Sequence, residues 1–175
     1  MRALVMILAA LTLAACGQSA TPTAAPAATV SPEIIQGPLA ADSPLIGAQV
    51  STLRATFSTQ MEEADANADN PGCGEWLFDT MSLLAYDGRV VRVSTTVAGP
   101  ETASGVHVGS PLADVLAAYP NAQREASEYV PEPGHALFVW TNPEEHLGLH
   151  FEIGEDERVT AIHAGGELRA IGGCF

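Results

Sequence analysis

Apolar and polar residues alternate in the second half of the chain in the manner of β-strands. Leu147 to Ile153 alternates strictly, so its apolar positions face a core, and His150 and Glu152 are predicted to face solvent. The same alternation puts Phe138 and Trp140 on one face of another strand. The remaining predicted strands are residues 81–86, 89–97, 135–141 and 158–164. The pattern predicts antiparallel meanders.

Helices are predicted where the apolar spacing changes to three and four residues. Residues 112–119 carry such a stripe, and Pro120 ends it. A second stripe begins at Val50 and includes Met61, which extends this helix to about residue 64. The acidic residues 62–65 then fall at an exposed helix end.

The order of these elements occurs twice along the chain. Residues 46–57 align without a gap with residues 108–119, and residues 87–93 align with residues 156–162. We interpret this as a duplication; chance agreement of a helix and a hairpin is the alternative. The predicted fold class is α+β, with two repeated units, each a short helix packed on an antiparallel β-meander. The units span residues 45–98 and 99–175.

The first sixteen residues form an export signal. Arg2 precedes an apolar run that is too short to span a membrane, and Leu13-Ala14-Ala15-Cys16 follows. This segment resembles the lipobox of bacterial lipoprotein precursors; a plain secretory signal is the alternative. The resemblance implies a signal peptide over residues 1–15 and acyl chains, palmitate among them, on Cys16. With Gly17 in place of Asp, it also implies an outer-membrane lipoprotein facing the periplasm, with the cell surface as the alternative.

Composition limits the partners. Residues 16–44 are rich in Ala, Pro and Thr and are predicted to be a disordered tether. The chain has 21 Asp and Glu against 7 Arg and no Lys, for a net charge of −14. Such acidity argues against binding to nucleic acid or to anionic lipid surfaces, because both require cationic side chains.

Two cysteines remain after Cys16. An exported protein folds in an oxidising compartment, so Cys73 and Cys174 are predicted to form a disulfide that holds the C-terminus. A redox or metal site is the alternative, but neither cysteine belongs to a CxxC motif.

The sequence offers few candidates for a catalytic, metal-binding or partner-binding site. No catalytic motif is present, so the protein is predicted not to be an enzyme and to have no cofactor. His135, His150 and His163 lie on three successive predicted strands and would form a zinc or copper site if they faced the same way. The alternative is that they are ordinary surface histidines. Trp140 is a candidate partner contact if it is exposed, and a core residue otherwise.

Two family resemblances rest on short motifs. Gly109 to Val115, Leu149 to Phe151 and Val159 to Ile162 resemble the SmpA/BamE-like repeat, with Gly47 to Phe57 as a weaker copy. This repeat occurs in tandem in the β-lactamase inhibitor protein. The methionine that commonly follows its glycine is absent here. The C-terminal region also resembles a family of uncharacterised exported bacterial proteins that end in Gly-Cys.

These observations predict a lipid-anchored binding or assembly module of the cell envelope. Its expected partners are the membrane, through the lipid, and an unknown envelope protein. The alternative is a periplasmic protein inhibitor of a hydrolase, by analogy with the tandem-repeat inhibitor. A hydrolase has only isolated Asp, Glu and His residues to support it.

Overall fold

The computed structural model describes residues 43–66, 72–169 and 171–174. The predicted signal peptide, Cys16 and nearly all of the predicted tether lie outside these ranges. The described helices are α1 (Val50–Thr56) and α2 (Leu112–Ala118). The described strands are β1 (Met61–Ala66), β2 (Cys73–Phe78), β3 (Met81–Tyr86), β4 (Arg89–Thr95), β5 (Gln123–Glu125), β6 (His135–Asn142), β7 (Leu147–Ile153) and β8 (Val159–Gly165).

The strands of the described residues form one eight-stranded antiparallel sheet in the order β1-β2-β3-β4-β8-β7-β6-β5. At its centre, β4 pairs with β8 from Arg92↔Gly165 to Thr95↔Ile162. The predicted fold class, two repeated helix-on-meander units, is therefore wrong: the strands of both halves belong to a single sheet, and each helix has only seven residues. The physical reason is that two separate meanders would each leave an unpaired edge, whereas the β4–β8 pairing satisfies both edges.

Both helices cover the same face of the sheet. Leu53 of α1 and Val115 of α2 are fully or almost fully buried in one continuous core. Phe57 contacts Phe78 with ring centroids 5.3 Å apart. We call this side the helix face. The residues of β7 that reach it are the apolar ones of the predicted alternation.

Each helix is preceded by a glycine in the left-handed backbone region. The φ angles of Gly47 and Gly109 are 81° and 95°, values that favour glycine. The two carbonyl groups accept hydrogen bonds from the guanidinium groups of Arg89 and Arg158, at 3.2 and 2.8 Å. The glycines at the same place in the two aligned segments, Gly47 and Gly109, are thus explained by the turn that precedes each short helix.

Helix α1 is shorter than predicted. It ends at Thr56, and Met61 begins the edge strand β1, so Glu62 and Glu63 lie on an exposed strand rather than at a helix end. The reason is that Phe57 leaves the helical conformation (φ −124°) with its side chain buried in the core. The residues after it, Ser and Thr, are weak helix formers.

The other face of the sheet is covered by a C-terminal strap, which we define as residues 166–169 and 171–174. Leu168 is fully buried against Ala136 and Phe138. Cys174 forms a disulfide with Cys73, at a sequence separation of 101. We call this side of the sheet the strap face. No helix of the described residues has the length and apolar character needed to cross a membrane.

Candidate binding site

A row of polar residues crosses the strap face. The backbone register places Ser94 opposite His163, His163 opposite His150, and His150 opposite Phe138. His150 and Glu152 were predicted to face solvent, but they are only 2% and 9% exposed. The alternation correctly separates the two faces of β7. It does not reveal that the strap covers the second face.

Arg92 holds the backbone of the strap. Its guanidinium donates hydrogen bonds to the carbonyl oxygens of Glu167, Ile171 and Gly172, at 2.9, 2.9 and 3.2 Å. These carbonyls belong to an irregular segment, which is not paired with a neighbouring strand that could donate hydrogen bonds to them. Burial lowers the pKa of Arg92 from its ordinary value, while nearby carboxylates and tyrosines oppose that change. The buried cation thus supplies hydrogen bonds that the strap cannot make by itself.

His150 anchors the strap at a second point. Its Nδ1 lies 2.9 Å from the carbonyl oxygen of Leu168, and since a carbonyl only accepts, Nδ1 carries the proton. Burial, together with the charge of Arg92, lowers the pKa of His150 to about 4. The ring is therefore neutral at pH 7, and its Nε2 is a lone-pair acceptor. No described residue provides that Nε2 with a hydrogen bond.

His163 sits between a hydroxyl and a carboxyl group. Its Nδ1 lies 2.8 Å from Ser94 Oγ, and its Nε2 lies 3.9 Å from Glu152 Oε1. Burial, with repulsion from His150 and Arg92, lowers the pKa of His163 well below its ordinary value. Burial also raises the pKa of Glu152. The contact between His163 and Glu152 is thus not an ion pair at neutral pH, because the imidazole is uncharged.

The three histidines of the predicted metal site do not form one ligand set. His135 pairs with Ile153, whose side chain lies in the core of the helix face, whereas His150 and His163 lie on the strap face. The rings of His150 and His163 are neighbours, with centroids 5.2 Å apart. Within the described ranges, no group of three His, Cys, Asp or Glu side chains is placed to hold a metal ion. The reason is the alternation of side chains along a strand. His135 and Phe138 are three residues apart on β6, so their side chains lie on opposite faces, and Phe138 is the one that contacts His150.

Trp140 belongs to a half-exposed aromatic surface. Its ring stacks on Phe138 with centroids 5.1 Å apart and an interplanar angle of 5°. The guanidinium of Arg169 lies over both rings, 5.1 and 5.3 Å from their centroids. Tyr129 is 46% exposed, and its hydroxyl oxygen accepts a hydrogen bond from the amide of Gly172. We call Tyr129, Phe138, Trp140 and Arg169 the aromatic patch.

A cavity of about 190 Å³ opens beside the aromatic patch. Arg169 and Glu125 form a bidentate ion pair at this cavity, with Nη2 and Oε1 2.9 Å apart. The hydrogen bond from Arg169 lowers the pKa of Glu125. The lining residues are Glu125, Ala126, Ser127, Glu128, Tyr129, Ala136, Phe138, His150 and Arg169. We call this space the strap cavity.

The buried histidines make the stability of the protein sensitive to acid. Between pH 7 and 5 the unfolded chain takes up a proton at position 150 that the folded state, with its pKa of about 4, does not. The free energy of unfolding therefore falls as the pH falls, by about 2 kcal/mol for this residue alone. His163 acts in the same direction. Glu152, whose pKa is raised, acts in the opposite direction, because its stabilising contribution is lost as the pH rises through its folded pKa.

We expect His150→Asn, which can still donate to Leu168, to flatten this pH profile in urea-unfolding experiments. His107→Asn is the control, since His107 is exposed and lies outside the strap face. If the wild-type and His150→Asn profiles have the same slope between pH 7 and 5, the assignment is wrong.

Several residues of this site were not found from the sequence. Arg92 and Ser94 lie in a predicted strand without any motif around them. A cationic residue flanked by Val91 and Val93 is the one local signal, because an arginine in a central strand needs partners. Arg169 and Glu125 are 44 residues apart, and no spacing rule brings them together.

Comparisons with known proteins give only distant structural similarity. No protein-family model and no curated protein sequence matches the chain. The fold is similar to an extracellular protein containing an SCP domain from Bacillus anthracis, with a TM-score of 0.43 and 9% identity over 87% of this chain and 50% of that one. It is also similar to a cysteine-rich secretory protein from Staphylococcus aureus, with a TM-score of 0.41 and 10% identity over 75% of this chain and 49% of that one. The chain spans about half the length of these solved structures.

The sheet corrects the resemblance to the SmpA/BamE-like repeat. The strands of the described residues form one continuous sheet rather than tandem helix-on-meander repeats.

Proposed function

We propose that the protein is an exported binding module, tethered to the bacterial cell envelope through Cys16, that contacts a protein partner through the aromatic patch and is not itself an enzyme. The tether and the export route are supported by the signal segment that ends in Leu13-Ala14-Ala15-Cys16. The outer membrane, facing the periplasm, is the location that Gly17 favours. A lipid with two or more chains holds a protein stably at a bilayer.

The observation that carries the binding role is the composition and exposure of the aromatic patch. Trp, Tyr and Arg are the residue types most enriched at the energetic centres of protein interfaces. Here Trp140 is half-buried on a rigid floor of Phe138, and the side chain of Arg169 is 52% exposed. Such a surface presents large side chains that are already ordered, so little conformational entropy is lost when a partner binds.

The inhibitor alternative has lost its main support. It depended on the analogy with the tandem-repeat inhibitor, and the single sheet removes that analogy. No contact in the described residues favours it over the binding module.

Site-specific crosslinking in cells tests the proposal. We expect a photo-reactive p-benzoylphenylalanine in place of Tyr129 to give a discrete crosslinked adduct with an envelope protein. The same residue in place of Leu116 should give none. Leu116 is a matched control because it is 43% exposed, close to the 46% of Tyr129, but lies on α2 over the opposite face.

A second substitution links the adduct to the patch. Trp140→Ala in the Tyr129-labelled protein should reduce the adduct at least several-fold, as loss of an interface Trp usually does. Equal adducts at positions 129 and 116, or an adduct unaffected by Trp140→Ala, would show that the patch is not the binding surface.

A further inference from the structure

We propose that the strap cavity binds a small organic cation that carries an apolar ring or short chain. This inference rests on the proposed function, because it assigns a ligand class to the space beside the aromatic patch. It concerns a small molecule, whereas the patch itself is assigned to a protein partner.

The charges around the strap cavity favour a cation. The guanidinium of Arg169 uses both terminal nitrogens on Glu125, so these two charges compensate each other. Glu128 also lines the cavity, and it makes no hydrogen bond or ion pair with any described residue. Among the lining residues, Glu128 is therefore the carboxylate without a cationic partner; the buried guanidinium of Arg92, whose charge acts on His150, lies outside the lining. The net charge of −14 on the chain adds a field that attracts cations and repels anions.

The inner wall of the cavity supplies apolar contact and one acceptor. Ala136 and Phe138 form the apolar part of the lining. His150, which is 2% exposed, lines the same cavity, and its Nε2 has no hydrogen-bond partner among the described residues. Because Nδ1–H is engaged by Leu168, Nε2 can accept a hydrogen bond but not donate one at neutral pH. This atom has almost no accessible surface, so a ligand that donates a hydrogen bond to it must displace the side chains around it, and it then satisfies a buried polar atom.

The volume of the cavity limits the size of the ligand. An apolar cavity of about 150 Å³ accommodates benzene. The strap cavity, at about 190 Å³, has room for one six-membered ring with a single short substituent. Benzylammonium has this size, and benzyl alcohol and benzoate have the same ring with a neutral and an anionic group.

Titration of the full chain with these three probes tests the ligand class. We expect saturable shifts of the Phe138 and His150 ring signals with benzylammonium at neutral pH. We expect benzoate to bind at least tenfold more weakly, with benzyl alcohol in between. Binding of benzoate or benzyl alcohol as tight as that of benzylammonium would overturn the charge argument. The absence of saturable shifts with all three probes would overturn the cavity assignment.

Two substitutions should change the affinity for benzylammonium in opposite directions. Glu128→Gln removes the uncompensated carboxylate and should weaken binding about fivefold, the scale of a partly exposed ion pair. Arg169→Gln leaves Glu125 without its cation and should strengthen binding. Glu155→Gln is the control, because Glu155 is exposed in the turn between β7 and β8. Equal effects of Glu128→Gln and Glu155→Gln, or weaker binding with Arg169→Gln, would contradict the proposal.

Arg169→Gln also separates this inference from the proposed function. Loss of Arg169 from the aromatic patch should reduce the crosslinked adduct at position 129, although the same change should increase the affinity for benzylammonium. A reduced adduct without the gain in affinity rejects the cation site alone. The gain in affinity with an unchanged adduct rejects the partner surface alone.

Discussion

Replacement of both disulfide cysteines, Cys73→Ser with Cys174→Ser, should lower the free energy of unfolding by about 4–5 kcal/mol. The bond closes a loop across a sequence separation of 101 residues, and closing a loop of this length removes a large conformational entropy from the unfolded chain. Both cysteines are also buried next to Leu84, so their replacement by hydroxyl groups adds a desolvation cost. Urea unfolding of the double variant and of the parent protein measures the difference.

Two comparisons make this experiment specific to the disulfide. Reduction of the parent protein should bring its stability close to that of the double variant. Reduction of the double variant should change nothing. A loss of less than about 1 kcal/mol would mean that the strap is held almost entirely by its non-covalent contacts, such as those of Arg92.

Substitution of Arg92 by methionine should have the second largest effect, a loss of about 3–4 kcal/mol. Arg92 is 3% exposed and donates to three carbonyl groups of the strap, so its removal leaves buried acceptors without partners. Methionine keeps most of the apolar volume of the side chain, which separates the loss of hydrogen bonds from the creation of a cavity.

The matched control for Arg92→Met is Arg158→Met. Arg158 is exposed and donates one hydrogen bond, to the carbonyl of Gly109, so its loss should cost less than about 1 kcal/mol. Amide hydrogen exchange adds a local measurement: the amide of Gly172, which is bonded to Tyr129, should exchange faster in Arg92→Met. Equal stabilities of the two variants would show that Arg92 does not hold the strap.

Five strands, β3, β4, β6, β7 and β8, were predictable because their signals are local, whereas β1, β2 and β5 were not predicted. Residues 147–153 alternate strictly, and β7 has the same limits as the prediction. Asp87 and Gly88, in the turn between β3 and β4, both have positive φ, at 48° and 73°, as an Asp-Gly hairpin turn favours. Phe138 and Trp140 were predicted to share a face, and their rings stack.

The arrangement of the strands was not predictable in the same way. The pairing of β4 with β8 joins residues about 70 positions apart, and nothing in either strand specifies the other. The alternation of β7 shows which residues share a face. It does not show whether another segment covers that face. Leu168 is the one large apolar side chain of the described strap residues that is fully buried, and the strap is also held by hydrogen bonds and a disulfide.

The candidate site was predicted only in part for the same reason. His150 and His163 were correctly placed on adjacent strands, because both strands were predicted from local sequence patterns. Glu125, Glu128 and Arg169 come from a short edge strand, a loop and the strap, where no periodic pattern exists. The lining residues of a cavity that is built from irregular segments cannot be predicted from periodic sequence patterns.

The acidic strand β1 has a consequence for the behaviour of the protein at high concentration. It is an outer strand of the sheet, six residues long, with Glu62 and Glu63 exposed. A second copy that paired with this edge would bring like charges together. The exposed carboxylates therefore oppose edge-to-edge pairing between neighbouring molecules.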